Sequence, residues 1–97
     1  CEVAGYTVDF SNYCVSKGDK RVELSRKEML ILKMFTDRPD QVIPREHILE
    51  EVWGYEMYPT SRTIDNFILN FRKIFEENPR EPRYFHSIRG VGYRYTP

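Results

Sequence analysis

The 97-residue sequence predicts an α+β fold: a small antiparallel sheet, then a three-helix core, then a C-terminal β-hairpin. Three observations predict it. Residues 61–76, SRTIDNFILNFRKIFE, place Ile64, Phe67, Ile68, Phe71, Ile74 and Phe75 on one side of a helix, an apolar stripe that needs a core to bury it. Ser25-Arg-Lys-Glu28 is a capping box ahead of an apolar run, which marks a helix start. Aromatic and β-branched runs flank Gly90-Val91-Gly92 near the C-terminus, a hairpin signal.

The composition admits such a fold and narrows its function. A hydrophobic share of 40% and an aromatic share of 14% exclude a disordered chain. The length predicts one domain over residues 1–97, long enough to bury roughly 60–70% of its unfolded surface without staples. No apolar run approaches the ~18–20 residues that span a membrane, and no signal-peptide pattern opens the chain. The opening on Cys1 rather than Met suggests a piece of a longer protein. Cys1 and Cys14 form neither a CxxC nor a zinc spacing, so they read as free thiols in a reducing cytoplasm. Net charge is zero, which taken whole argues against a nucleic-acid partner. Its distribution argues the other way. Residues 1–60 carry 8 Lys/Arg against 11 Asp/Glu, and residues 61–97 carry 7 against 4. The basic excess falls on the third helix and the C-terminal residues beyond it.

In order, residues 1–24 read as a meander of three or four strands: Tyr6–Phe10, Tyr13–Ser16 and Arg21–Leu24, separated by Ser11-Asn12 and by Lys17-Gly18-Asp19-Lys20. Residues 25–76 form the three-helix core. The first helix is apolar on nearly every side through Met29–Phe35 and stops at Arg38-Pro39-Asp40. Gln41-Val42-Ile43 is a short extended piece. Pro44 is expected in the first turn of the second helix, which buries Ile48, Leu49, Val52 and Trp53 and ends at Gly54. A loop over 54–61 leads to the third helix, and Asn78-Pro79-Arg80-Glu81-Pro82 breaks the chain after it. Residues 84–96 form the hairpin, with Arg89 at its tip and Arg94 on the return strand. Two helices thus deliver a third whose outer face is free, with an arginine-tipped hairpin beside it. This arrangement is a winged helix-turn-helix.

The outer face of the third helix centres on Arg62, Asn66, Leu69 and Lys73, with Thr63, Asp65 and Asn70 on its flanks. The major groove of B-DNA is ~12 Å wide and admits one helix. Its phosphate walls call for Arg62, Thr63, Arg72 and Lys73. Its base edges suit Asn66 and Asn70 toward adenine, Asp65 toward cytosine and Leu69 toward a thymine methyl. Arg89 would reach the minor groove, whose negative potential attracts Arg. Each has an ordinary alternative. Arg72 and Lys73 also favour the helix C-terminus through its dipole. Asp65 would pair with Arg62 or Arg72 without meeting a base, and Arg89–Gly92 would be a plain turn.

No enzymatic constellation competes. His47 and His86 are isolated, and His47 beside Glu46 and Glu50 lacks a third zinc ligand. Gly90-Val91-Gly92 opens no helix and is too short to cradle phosphate. There is no GxSxG and no credible Ser/His/Asp set. The expectation is a non-enzyme without metal or cofactor.

These residues also carry a resemblance. Leu24-Ser-Arg-Lys-Glu28, Arg45-Glu-x-x-Leu49-x-x-Val-Trp-Gly54, Arg62-Thr-Ile-Asp65, Arg72-Lys73, Asn78-Pro-Arg80 and Arg89-Gly-Val-Gly-Tyr-Arg94 cover nearly the whole chain. Together they resemble the C-terminal effector domain of OmpR/PhoB-family response regulators. The resemblance implies a four-stranded N-terminal sheet and regulation of transcription through double-stranded DNA. It implies a receiver domain, absent from this chain, phosphorylated on Asp by a sensor kinase in the cytoplasm. Homodimers would form on direct-repeat DNA, with the isolated domain a monomer. It assigns Arg62 and Thr63 to the DNA backbone, Asp65 to a near-invariant acidic position, Arg89 with Gly90 to the wing tip, and Tyr93 to anchoring the wing. The loop carrying Tyr55, Glu56, Met57 and Tyr58 would contact RNA polymerase.

The sequence departs from the family pattern in three places. Phe67 stands where His is common, on the core side. Leu69 and Asn70 stand where basic or polar base-readers are frequent, which weakens the electrostatic part of binding. Pro44 replaces a Ser cap and would fray the second helix by about 1 kcal/mol. The alternative reading is a winged-helix protein-interaction module, which zero net charge and an outward Leu69 would suit.

Overall fold

Alternating burial shapes the first sheet. In a computed structural model, which describes residues 1–54 and 61–97, β1 (Glu2–Val3), β2 (Tyr6–Asp9), β3 (Cys14–Lys17) and β4 (Lys20–Glu23) form an antiparallel meander in that order. Val3, Tyr6, Val8 and Val15 face the core. The turn after β2 begins one residue earlier than the aromatic run predicts. The Asp9 carboxylate accepts from the Ser11 and Asn12 amides and from Asn12 Nδ2, at 3.0, 3.1 and 2.8 Å. Tyr13 has φ of 53°, which no strand residue adopts. Phe10 and Tyr13 therefore belong to the turn.

The capping box forms as predicted at the start of α1 (Arg26–Asp37). Ser25 Oγ accepts from the Glu28 amide at 3.2 Å, and Glu28 Oε1 accepts from the Ser25 amide at 2.8 Å. Met29, Ile31, Leu32, Met34 and Phe35 are buried, while Leu30 stays at the surface. The helix is central but open on that side.

Residues Val42–Pro44 form β5, and Pro44 is its last residue. Its ψ of 146° makes it the N-cap of α2 (Arg45–Trp53), not a first-turn residue as expected. Pro44 supplies no side-chain cap. Ile48, Val52 and Trp53 are buried and Leu49 partly so. Gly54, at φ of 60°, closes the helix with its amide donating to the Leu49 and Glu50 carbonyls.

The third helix, α3, spans Ser61–Phe75. Its stripe is inside as predicted: Ile64, Ile68, Phe71 and Phe75 are buried, with Phe67 and Ile74 partly covered. Trp53 meets Phe67 edge-on at 5.6 Å, joining α2 to α3.

The hairpin is β6 (Phe85–Ile88) and β7 (Gly92–Tyr95), but it does not stand alone. β5 pairs antiparallel with β7, giving a three-stranded sheet in the order β5-β7-β6. Gly92 makes this possible. A Cβ there would lie 2.0 Å from the Ile43 carbonyl oxygen. Phe85 on β6 sits at the hub of the core, with ring centroids 5.9, 5.4, 5.7 and 5.3 Å from Phe35, Phe71, Phe75 and Tyr95. Tyr6 meets Phe75 edge-on at 5.3 Å and ties in the N-terminal sheet. Among the described residues, no helix is long and apolar enough to cross a membrane.

Candidate nucleic-acid interface

Burying one side of α3 fixes what the other side presents. Arg62, Asn66, Leu69, Asn70 and Lys73 are exposed. Leu69, at 52% exposure, is the apolar member of this face. Thr63 is partly covered and lines a shallow groove of about 230 Å³ with Glu28, Asn66, Phe67 and Asn70. At the wing, Arg89 and Gly90 are exposed in the turn between β6 and β7, where Gly90 takes φ of 75° and the Val91 amide donates to the Ile88 carbonyl at 3.0 Å.

Four predicted site residues are held by neighbours. Asp65 accepts from Arg45 Nε at 3.1 Å and from the Tyr93 hydroxyl. Its partners are thus on α2 and β7, not Arg62 or Arg72 as helical spacing suggested. Tyr93 is buried beneath the Arg45 guanidinium, which lies 4.8 Å from its ring centroid. Arg72 donates from Nε to the Phe85 carbonyl at 3.1 Å and from Nη2 to Ser87 Oγ at 2.9 Å. It joins α3 to β6. Asn70 Nδ2 donates to Glu28 Oε2 at 2.6 Å.

The Arg45–Asp65–Tyr93 cluster is electrostatically marked. Partial burial raises the Asp65 pKa, but hydrogen bonds from Tyr93 and Arg45 and the nearby Arg45 and Arg62 charges outweigh it, and the carboxyl lies below its usual 3.8. Burial first, and the Asp65 carboxylate second, push the Tyr93 hydroxyl above 10.0. The hydrogen bond to Asp65 raises the Arg45 guanidinium above its usual range despite partial burial. The cluster therefore stays ionised as Arg⁺, Asp⁻ and neutral Tyr near neutrality, and it fixes the first turns of α2 and α3 against the wing.

Sequence reasoning missed Arg45, Glu28, Ser87 and Glu76 as members of this architecture. Glu76, buried just beyond α3, accepts from the Arg83, Tyr84 and Phe85 amides at 2.8, 3.0 and 2.9 Å. A Glu at a helix end ahead of a Pro-rich break was the available signal. The others depend on tertiary pairings with no local signature. The loop residues Tyr55, Glu56, Met57 and Tyr58 lie outside the described residues. His47 Nε2 lies 2.7 Å from Glu51 Oε1, and among the described residues no three His, Cys, Asp or Glu side chains converge as a metal site.

The family described as "Transcriptional regulatory protein, C terminal" matches residues 19–95. The chain belongs to this family. This winged-helix domain is 40% identical over 85 residues to the response regulator MprA of Mycobacterium avium, covering 86% of this chain and 37% of MprA. It spans well under half the length of the curated relatives it matches. Among solved structures, the OmpR/PhoB homologue DrrB of Thermotoga maritima aligns with a TM-score of 0.82 at 34% identity, over 96% of this chain and 42% of DrrB. The DNA-binding domain of Klebsiella pneumoniae RstA, solved in complex with the RstA box, aligns with a TM-score of 0.78 at 26% identity, over 99% of this chain and 95% of that one. The transcriptional-regulatory domain here thus shares its whole architecture with OmpR/PhoB-type domains.

Proposed function

We propose that this domain binds double-stranded DNA sequence-specifically and regulates transcription, without catalysis, as the output module of a two-component response regulator. One observation carries the reading. A helix clamped into the core by its apolar side turns Arg62, Asn66, Leu69, Asn70 and Lys73 to solvent, with Arg89 exposed on an adjoining wing. RstA, alike over nearly the whole chain, is a DNA-binding domain solved with its box. In this reading α3 lies in the major groove. Arg62, Thr63 and Lys73 meet phosphates, Asn66, Leu69 and Asn70 face bases, and Arg89 with Gly90 approaches the minor groove. Asp65, Arg72 and Tyr93 act on DNA through the geometry they hold. The larger assembly belongs to the same proposal: a receiver domain in the same protein, a cognate sensor kinase, homodimers on direct repeats, contact with RNA polymerase through Tyr55–Tyr58, and a cytoplasmic location.

Salt dependence tests it. Neutralising about two to three phosphates makes log K fall against log[salt] with a slope of about −2 to −3. Leu69 favours the second reading, a protein-binding module, for which association would be indifferent to salt. Titration of the domain with random-sequence duplex at several salt concentrations separates the two.

A further inference from the structure

Glu28 lies in the capping box of α1, yet its carboxylate also reaches α3. Oε1 accepts from the Ser25 amide at 2.8 Å, while Oε2 accepts from Asn70 Nδ2 at 2.6 Å. The two residues line the same open groove with Thr63, Asn66 and Phe67, on the side of α3 that faces solvent. A carboxylate only accepts hydrogen bonds. It therefore dictates which end of the Asn70 amide points inward: the nitrogen faces Glu28. An asparagine without such a partner flips freely between two orientations that present opposite edges.

We infer that Glu28 is a specificity-positioning residue that locks the Asn70 amide in one orientation, so that Asn70 reads adenine in the major groove. With one amide hydrogen given to Glu28, Asn70 keeps Oδ1 and its second hydrogen for an outside partner. Adenine offers the N6 amino group as donor and N7 as acceptor, the complement of that pair. Guanine presents two acceptors, N7 and O6, and repels Oδ1 at the second position. The nearby carboxylate adds to the discrimination, since it disfavours acceptor-rich edges. The inference rests on the DNA-binding reading above and adds to it a residue outside the recognition helix.

The capping box supplies a clean variant. Gln serves at the third helical position of the box as well as Glu does, so Glu28→Gln keeps the helix start. Its single oxygen stays with the Ser25 amide, so its amide nitrogen turns toward Asn70 and calls for the opposite flip. Binding-site selection from a randomised duplex pool is run on the wild-type chain, Glu28→Gln, Asn70→Ala and the double variant, with thermal unfolding as a control for folding. The expected result is an adenine preference at one base pair that falls about tenfold in Glu28→Gln, within the range one bidentate pair provides. It is lost at that same base pair in Asn70→Ala, and the double variant matches Asn70→Ala. Unchanged selection in a folded Glu28→Gln variant overturns the assignment while leaving DNA binding intact. So does weakening spread evenly over all positions. Absence of any salt-dependent binding by the wild-type chain overturns the DNA reading and this inference together.

Discussion

Glu76 engages both carboxylate oxygens with main-chain amides of residues 83–85, so a helix end and a strand start share one buried acceptor. Glu76→Gln places an amide donor against those N–H groups. Unfolding in urea is expected to show a loss of about 1–3 kcal/mol, the cost of leaving buried donors unmatched. An unchanged midpoint would mean that solvent already serves those amides. Asp65 shows why such contacts elude sequence reading. Helical spacing names only residues three or four positions away, or one full pair of turns, here Arg62 and Arg72. The actual donors, Arg45 and Tyr93, come from α2 and β7, set by packing that no local pattern encodes. Glu28 was legible as half of a capping box, but its second oxygen was not.

At the level of elements, Arg72 and Lys73 are neighbours on α3 with different surroundings. Arg72 binds β6 through Phe85 and Ser87, while Lys73 is exposed. Arg72→Ala is expected to loosen the wing against the helix, weakening all sites alike and lowering the unfolding midpoint. Lys73→Ala is expected to leave the midpoint alone and reduce the salt slope by about 0.9, one phosphate's worth. Equal salt slopes in the two variants would place both side chains on phosphate. The sidedness of α3 was readable because a 3.6-residue period repeats over four turns. β5 was not. Its three residues end in Pro44, a poor strand residue that is tolerated because β5 lies at the sheet edge. Only the demand for Gly92 hinted at a close-packed neighbour, and a glycine in a turn motif reads first as a turn.

For the whole molecule, the titrating groups bound a pH window. Asp65 has a folded pKa below its usual 3.8, so its contribution is present above that value and is lost as pH falls through the folded pKa. Tyr93 and Tyr95, the latter raised by burial, lie above 10.0, so theirs is present below that pH and is lost as pH rises through the folded values. Denaturant titrations across pH are expected to show decline on both flanks. Asp65→Asn should have a shallower acid limb than the wild-type chain. An identical acid limb would show that the cluster contributes nothing to acid sensitivity.

β5 has a temporal consequence. Its pairing with β7 joins residues about fifty positions apart and encloses both α2 and α3 in the ring so closed. The hydrogen-bond pairings of the first sheet and of α1, by contrast, lie within residues 1–38. The third helix gains a fixed mounting only after β7 has emerged from the ribosome. Nascent chains shorter than that carry the exposed face of α3 without the frame that holds it.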